Sequence, residues 1–111
     1  MLPVRMVSVA EGPTREFLAF HGTGASRAAA ILKEGFRPGP TGSFGPAVYV
    51  AAAASFSAEY TRRGELKTKR QRVLIGCRVL AHENEIWDSM AAVLEGSRVL
   101  PVSLHHFQYN Q

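Results

Sequence analysis

The chain has almost no cysteine and no long apolar run. Its 111 residues include one cysteine, Cys77, which excludes an internal disulfide. No apolar stretch approaches the ~20 residues of a membrane span. Pro3 and Arg5 interrupt residues 1–9, so these lack the apolar core of a signal peptide. From these absences we expect a soluble intracellular protein, cytoplasmic or nuclear, that makes no membrane contact.

Acidic residues are scarce, and the common nucleotide-binding glycine patterns are missing. Lys and Arg number 13 against 9 Asp and Glu, and the formal charge of +4 favours anionic partners. Much of the excess lies in 62–72, which a solvated loop explains as well as a binding role does. The glycines of 35–45 follow a predicted helix instead of opening one, which excludes a dinucleotide-binding fingerprint and a phosphate-binding loop.

The chain does contain a mixture of short strands and short helices. Its clearest strand is 73–80, and other strands are expected at 4–9, 17–20, 47–51 and within 99–109. Helices are expected at 26–34 and 55–60, with loops at 36–46, 61–72 and 82–89. Strands dominate both ends of the chain. This pattern predicts a single α+β domain over residues 1–111 and disfavours a βαβ arrangement.

Four local motifs follow one another between residues 20 and 60. They are Phe20-His21-Gly22-Thr23, Ile31-Leu32-Lys33-Glu34-Gly35-Phe36, Gly45-Pro46-Ala47-Val48-Tyr49-Val50 and Ser55-Phe56-Ser57-Ala58-Glu59-Tyr60. Each is weak alone, but in this order they resemble the poly(ADP-ribose)-polymerase-like ADP-ribosyltransferases of the diphtheria-toxin, His-Tyr-Glu type. That family also has a late strand that starts near a Glu.

The resemblance implies a compact ADP-ribosyltransferase fold. Such a fold has two small, largely antiparallel β-sheets with short helices around a cleft for NAD, which is the substrate. We also expect no metal site. The adjacent histidines His105 and His106 would point to opposite faces of a strand, and no third ligand has suitable spacing.

The resemblance also implies roles for the residues of the NAD cleft. His21 would hydrogen-bond a ribose hydroxyl, and the backbone of Gly22, followed by Thr23, would meet the nicotinamide carboxamide. The Ser57 hydroxyl would hold the carboxamide oxygen. Tyr60 would stack on the nicotinamide ring, with Tyr49 supporting it from the other side.

Catalysis would need a carboxylate beside the nicotinamide ribose. Cleavage of the nicotinamide–ribose bond builds positive charge on the sugar, and a carboxylate stabilises such a centre. Glu95, six residues after Ser89 and before the closing strand, is the candidate, so the implied catalytic set is His21, Tyr49 and Glu95. A slipped register would put Gly96 or Ser97 there and leave the chain without this group.

We therefore expect an NAD-dependent mono-ADP-ribosyltransferase that modifies a protein or nucleic acid. The short loop between Gly35 and Gly45 argues against chain elongation, and we assume a monomer. Alternatives within the fold are an NAD glycohydrolase, an inactive module that binds NAD or ADP-ribose, and an RNA 2′-phosphotransferase. The last would need several arginines, which the motifs lack. A different class, a basic nucleic-acid-binding domain using 62–72, would show steep salt dependence.

Overall fold

The structure is a computed structural model that describes residues 9–39, 46–54 and 71–108. In these ranges the chain forms six β-strands, one α-helix and two short 3₁₀ helices. The strands are β1 (Thr14–Gly24), β2 (Val48–Ala51), β3 (Gln71–His82), β4 (Ile86–Trp87), β5 (Met90–Val93) and β6 (Val99–Gln108). The helices are α1 (Ala25–Glu34) and the 3₁₀ helices Glu83–Glu85 and Gly96–Arg98.

All six strands belong to one antiparallel sheet in the order β4-β5-β2-β1-β3-β6. Its centre is the β1–β3 pair, which stays in register from Thr14↔His82 to Gly24↔Arg72. Every second residue of β3 is almost completely buried, which makes one face of the sheet the core face. These residues are Val73, Ile75, Cys77, Val79 and Ala81.

Helix α1 packs on this core face through its small and apolar residues. Ala28 and Ile31 are buried, whereas Leu32, the next residue, is 51% exposed. The helix ends where the sequence predicts, because Gly35 adopts φ 86°, which an L side chain rarely tolerates. Its N–H donates to the carbonyl of Ile31 at 2.7 Å and closes the last turn.

The single cysteine belongs to the same core. Cys77 is 1% exposed, and its thiol donates to the carbonyl of Ile75 at 3.3 Å. Burial raises the pKa of Cys77 to about 12, because the thiolate would lose its hydration. The thiol is therefore a packing group, as the apolar run around it predicts.

The α+β class is confirmed, but two expectations about strands differ from the structure. The described strands form one sheet, where the resemblance implies two. The expected loop 82–89 was wrong, since it contains a 3₁₀ helix and β4, and β5 was not predicted. β4 has only two residues, Ile86 and Trp87, too few to show an alternating pattern, and β5 is Met-Ala-Ala-Val, in which Val93 is the one β-branched residue. Pairing with β2 makes β5 a strand.

Some expectations fall outside the described ranges. The predicted helix 55–60, almost all of the predicted loop 61–72 and all but Val9 of the predicted strand 4–9 lie there. In the part of the chain that the structure describes, no helix has the length and apolarity to cross a membrane.

A buried ion pair fixes the turn region between β3, β5 and β6. The carboxylate of Glu85, 0% exposed, accepts from both terminal nitrogens of Arg98 at 2.6 and 2.7 Å. It also accepts from the backbone N–H groups of His82 at 2.9 Å and Leu94 at 2.7 Å. Burial by itself would raise the pKa of Glu85, but the bonds from Arg98 and the two amides outweigh it and lower that pKa.

We predict that Glu85→Gln strongly destabilises the fold. The substitution removes the negative charge and leaves the largely buried Arg98 guanidinium uncompensated, so the free energy of unfolding should fall by about 3–5 kcal/mol. Urea denaturation measures this. The matched control is Glu16→Gln in the exposed Glu16–Arg78 pair, which should cost at most about 1 kcal/mol. Equal losses in both variants would contradict the prediction.

Candidate active site

The expected site begins at the end of β1. The predicted strand 17–20 is longer in the structure: β1 continues to Gly24, and α1 starts at the next residue. His21 is half-buried and Gly22 is buried. Thr23 is 1% exposed with its side chain in the core, so it can meet a ligand only through its backbone.

The His21 side chain joins β1 to β2. Its Nδ1 lies 2.8 Å from the backbone carbonyl oxygen of Tyr49. A carbonyl oxygen only accepts, so Nδ1 carries the proton and Nε2 keeps its lone pair as an acceptor. The Phe36 ring meets the imidazole edge-on, with ring centroids 5.1 Å apart, and fixes its plane.

The surroundings of His21 keep its imidazole neutral. Burial lowers its pKa most, because the charged ring would lose hydration, and the positive charge of Arg27 lowers the pKa further. The hydrogen bond to the Tyr49 carbonyl opposes both effects but does not reverse them. At neutral pH the ring therefore combines a fixed donor nitrogen with an acceptor nitrogen.

Strands β1 and β2 part close to this histidine. Among their described residues the register consists of a single pair, Phe20↔Ala51. Continuing that register by two residues sets Gly22 opposite Tyr49, and Tyr49 is paired on its other side with Ala92 of β5. A side-chain bond from His21 thus holds the strands together where the backbone ladder ends.

Glu95 lies between β5 and β6, directly before the second 3₁₀ helix. Its carboxylate is 65% exposed and 3.4 Å from Nε of Arg98. The adjacent Gly96 lies against the Phe36 backbone, where a Cβ at position 96 would collide with the carbonyl oxygen. Since the Phe36 ring contacts His21, Gly96 and Phe36 connect Glu95 with the His21–Tyr49 pair.

Phe36 is the site residue whose role sequence reasoning missed. It is 7% exposed and contacts both the His21 ring and Gly96. The signal was present in the Gly35-Phe36 helix exit, but an apolar residue after a helix is usually read as an ordinary core residue. The two remaining predicted residues, Ser57 and Tyr60, lie outside the described residues.

Comparison with protein families bears on the same part of the chain. A model of the poly(ADP-ribose) polymerase catalytic domain matches residues 8–99. The chain belongs to this family. No curated protein matches the chain.

Membership in the poly(ADP-ribose) polymerase family supports ADP-ribosyltransferase activity with NAD as substrate. The matched span includes His21, Tyr49 and Glu95 of the described residues. Within the described ranges, no three His, Cys, Asp or Glu side chains come together as a metal site.

The lowered pKa of His21 predicts a loss of stability in weak acid. The unfolded chain protonates this group near its ordinary pKa of 6.5, whereas the folded chain resists until a lower pH, so the unfolded state binds more protons in between. The free energy of unfolding should fall below pH 6.5 by up to about 1.4 kcal/mol per pH unit from this group.

The control for this prediction is His21→Asn, whose side-chain amide keeps a donor for the Tyr49 carbonyl but does not titrate. Urea denaturation between pH 5 and 7.5 should give a shallower pH dependence for the variant. Parallel curves would show that His21 is not the group that titrates. The contribution of Glu85 is separate, since its lowered pKa places that loss below 4.5.

Proposed function

We propose that this domain binds NAD between β1 and β2, cleaves the nicotinamide–ribose bond and transfers single ADP-ribose units to a nucleophile on a protein or nucleic acid. Family membership supports the reaction class and NAD as the substrate. Transfer of single units is proposed because the loop between Gly35 and Gly45 is short, which leaves little chain to hold a growing polymer.

The bond from His21 to the Tyr49 carbonyl is the observation that carries the proposal. It uses up Nδ1 and leaves a neutral imidazole whose Nε2 can accept from a ribose hydroxyl. A protonated or differently bonded histidine would present a donor there. A secondary hydroxyl is well suited to this nitrogen because it can donate to Nε2 while it accepts elsewhere.

The parting of β1 and β2 supports the placing of the nicotinamide. A flat carboxamide could pair with the backbone at Gly22, which has no Cβ to keep it away. The half-buried Tyr49 would support the ring on one side. In this proposal Tyr60 stacks on the other side of the ring, and the Ser57 hydroxyl holds the carboxamide oxygen.

The chemical step develops positive charge on the nicotinamide ribose. The C1′–N bond breaks, its electron pair leaves with nicotinamide, and the sugar passes through an oxocarbenium-like state. We assign to Glu95 the role of stabilising this charge. For this its carboxylate first moves away from Arg98 toward the sugar. Because the pair is 65% exposed on the glutamate side and 3.4 Å long, the cost of separating it is small.

One observation favours a second candidate function, a domain that binds NAD without transferring ADP-ribose. The carboxylate of Glu95 lies 3.4 Å from Nε of Arg98, and the described contacts connect Glu95 with the His21 region through Gly96 and Phe36. If the carboxylate stays with Arg98, the sugar cation lacks its stabilising group. Hydrolysis of NAD by water would lie between transfer and binding alone, because the nicotinamide–ribose bond is broken but no ADP-ribose is transferred to a macromolecule.

Incubation with labelled NAD separates these functions. Mass spectrometry of the protein and analysis of the small molecules should find protein-bound ADP-ribose and free nicotinamide in equal amounts. Free ADP-ribose without modified protein would identify a hydrolase. Intact NAD together with a calorimetric binding signal would identify a binder, and intact NAD without binding would refute the proposal.

We predict that Glu95→Gln lowers the rate of transfer by about 100-fold or more while NAD affinity changes little, because the carboxylate acts mainly in the transition state. Single-turnover assays and calorimetry measure the two quantities. The control is Glu34→Gln, since Glu34 forms a similar exposed i,i+3 pair with Arg37 at 3.5 Å. Unchanged transfer by Glu95→Gln would remove this residue from the mechanism.

We further predict that Tyr60→Ala weakens binding of nicotinamide about tenfold or more, because stacking of a flat ring on an aromatic side chain contributes about 1–3 kcal/mol. Calorimetry with free nicotinamide is the measurement. Tyr60→Phe keeps the ring and should bind nearly as well as the parent. If Tyr60→Ala binds nicotinamide as tightly as Tyr60→Phe, the stacking role is wrong.

A further inference from the structure

Strand β6 has a neighbour on one side only among the described strands. It comes last in the strand order, after β3, so its outer edge is open in this sheet. In an antiparallel strand the backbone N–H and C=O groups of every second residue point to the same edge. An open edge of this kind is a template on which another strand can pair. The proposed function assigns it no role.

The middle of β6 is accessible on both of its faces as well as along its edge. All five residues from 102 to 106 are exposed, whereas every second residue of the inner strand β3 is buried. Among the five are two aliphatic side chains, Val102 at 59% exposure and Leu104 at 39%. A strand added at this edge would therefore cover apolar surface in addition to pairing its backbone.

Most of this edge lacks the devices that prevent edge-to-edge pairing. Natural sheets protect their edges with lysines, other charges, prolines and bulges. Residues 99–108 contain no Lys, Arg, Asp or Glu. Pro101 and the irregularity in the β3–β6 register at Gly76/Cys77 are confined to the first part of the strand. From Ser103 to Gln108 the register is unbroken, so this part of the edge is regular and neutral.

Charge and symmetry indicate a second copy of this chain as the partner. Each copy has a formal charge of +4, so two copies repel each other over much of their surfaces, but β6 contributes none of that charge. A two-fold axis relates two antiparallel copies of one strand, so the same edge can serve both partners. A strongly acidic or basic peptide would gain no electrostatic attraction from the residues of this edge.

We propose that two copies of the chain form a dimer by antiparallel pairing of their β6 strands, with Leu104 at the two-fold axis. Leu104 is the middle residue of the exposed stretch, so this register pairs all five residues of that stretch. Position 102 lies opposite 106, position 103 lies opposite 105, and Leu104 lies opposite its own copy. The described sheets of the two copies then form one continuous sheet.

The size of the contact predicts a weak association. Ten residues at about 3.4 Å each give an edge about 34 Å long, and a sheet with its side chains is about 10 Å thick. Each copy then covers about 340 Å² of the other, against about 800 Å² per partner in a standard stable complex. We therefore expect a reversible dimer, whose dissociated form is the monomer assumed from the sequence. Since β3 separates β6 from β1 and β2, both forms should bind NAD equally well.

Analytical ultracentrifugation of the full chain tests the dimer. We expect the mean mass to rise from 12.1 kDa toward twice that value as the protein concentration increases. Val102→Lys places a charge on the edge and should abolish this rise. The matched control is Leu18→Lys, since Leu18 is a 68% exposed apolar residue of the inner strand β1 and should tolerate the change without loss of the dimer. A monomer at every concentration, or equal loss in both variants, would overturn the proposal.

Disulfide cross-linking tests the register. A residue on the axis lies opposite its own copy and within reach of a disulfide, whereas the residue next to it lies too far from its copy. On mild oxidation Leu104→Cys should form a covalent dimer and Ser103→Cys should stay largely unlinked. The native Cys77 is 1% exposed and does not compete. Preferential linking of Ser103→Cys would overturn the Leu104 axis, and linking of neither variant would overturn pairing through β6.

Discussion

The hydrogen bond from His21 to the Tyr49 carbonyl is the contact on which the candidate site depends. Where β1 and β3 share a long backbone ladder, the described residues of β1 and β2 share a single registered pair. The imidazole N–H donates to the Tyr49 carbonyl next to that pair, so a side chain joins the two strands where their backbone register is short. The same bond fixes the ring tautomer, so one contact serves the fold and prepares an acceptor nitrogen for a ligand.

The buried Glu85–Arg98 pair has a comparable role at the β5–β6 connection. Glu85 takes both terminal nitrogens of Arg98 and leaves only Nε for Glu95 at 3.4 Å. The two carboxylates thus differ greatly in how firmly they are held. The Glu85 carboxylate accepts four hydrogen bonds, whereas the exposed Glu95 carboxylate makes one longer ion pair with the same arginine. The difference allows one acid to be structural and the other to move.

The elements that could be predicted from the sequence are those stabilised by residues that are neighbours along the chain. The end of α1 at Gly35 and the core strand β3 depend on residues that are neighbours along the chain, and both predictions are confirmed. β5 is an alanine-rich segment that becomes a strand only because β2 pairs with it, so no local signal marks it. The sequence predicted that His21 and Tyr49 belong to one site, but not that they are hydrogen-bonded to each other. Any residue at position 49 has a backbone carbonyl, so the residue type there does not reveal this bond.

The order of the strands limits which residue can bring a carboxylate to the nicotinamide ribose. Two late strands could carry it: β5 starts at Met90 and pairs with β2, whereas β6 starts at Val99 and lies beyond β3. The strand beside Tyr49 therefore begins with an uncharged side chain. Since Val99 pairs with Val79 and Val79 with Phe17, the start of β6 is about 13 Å along the sheet from the row of His21. Glu95 can serve the site only from the connection between these strands, which is why its weak hold on Arg98 matters. A carboxylate bound as firmly as Glu85 at that position would be part of the fold and not of the reaction.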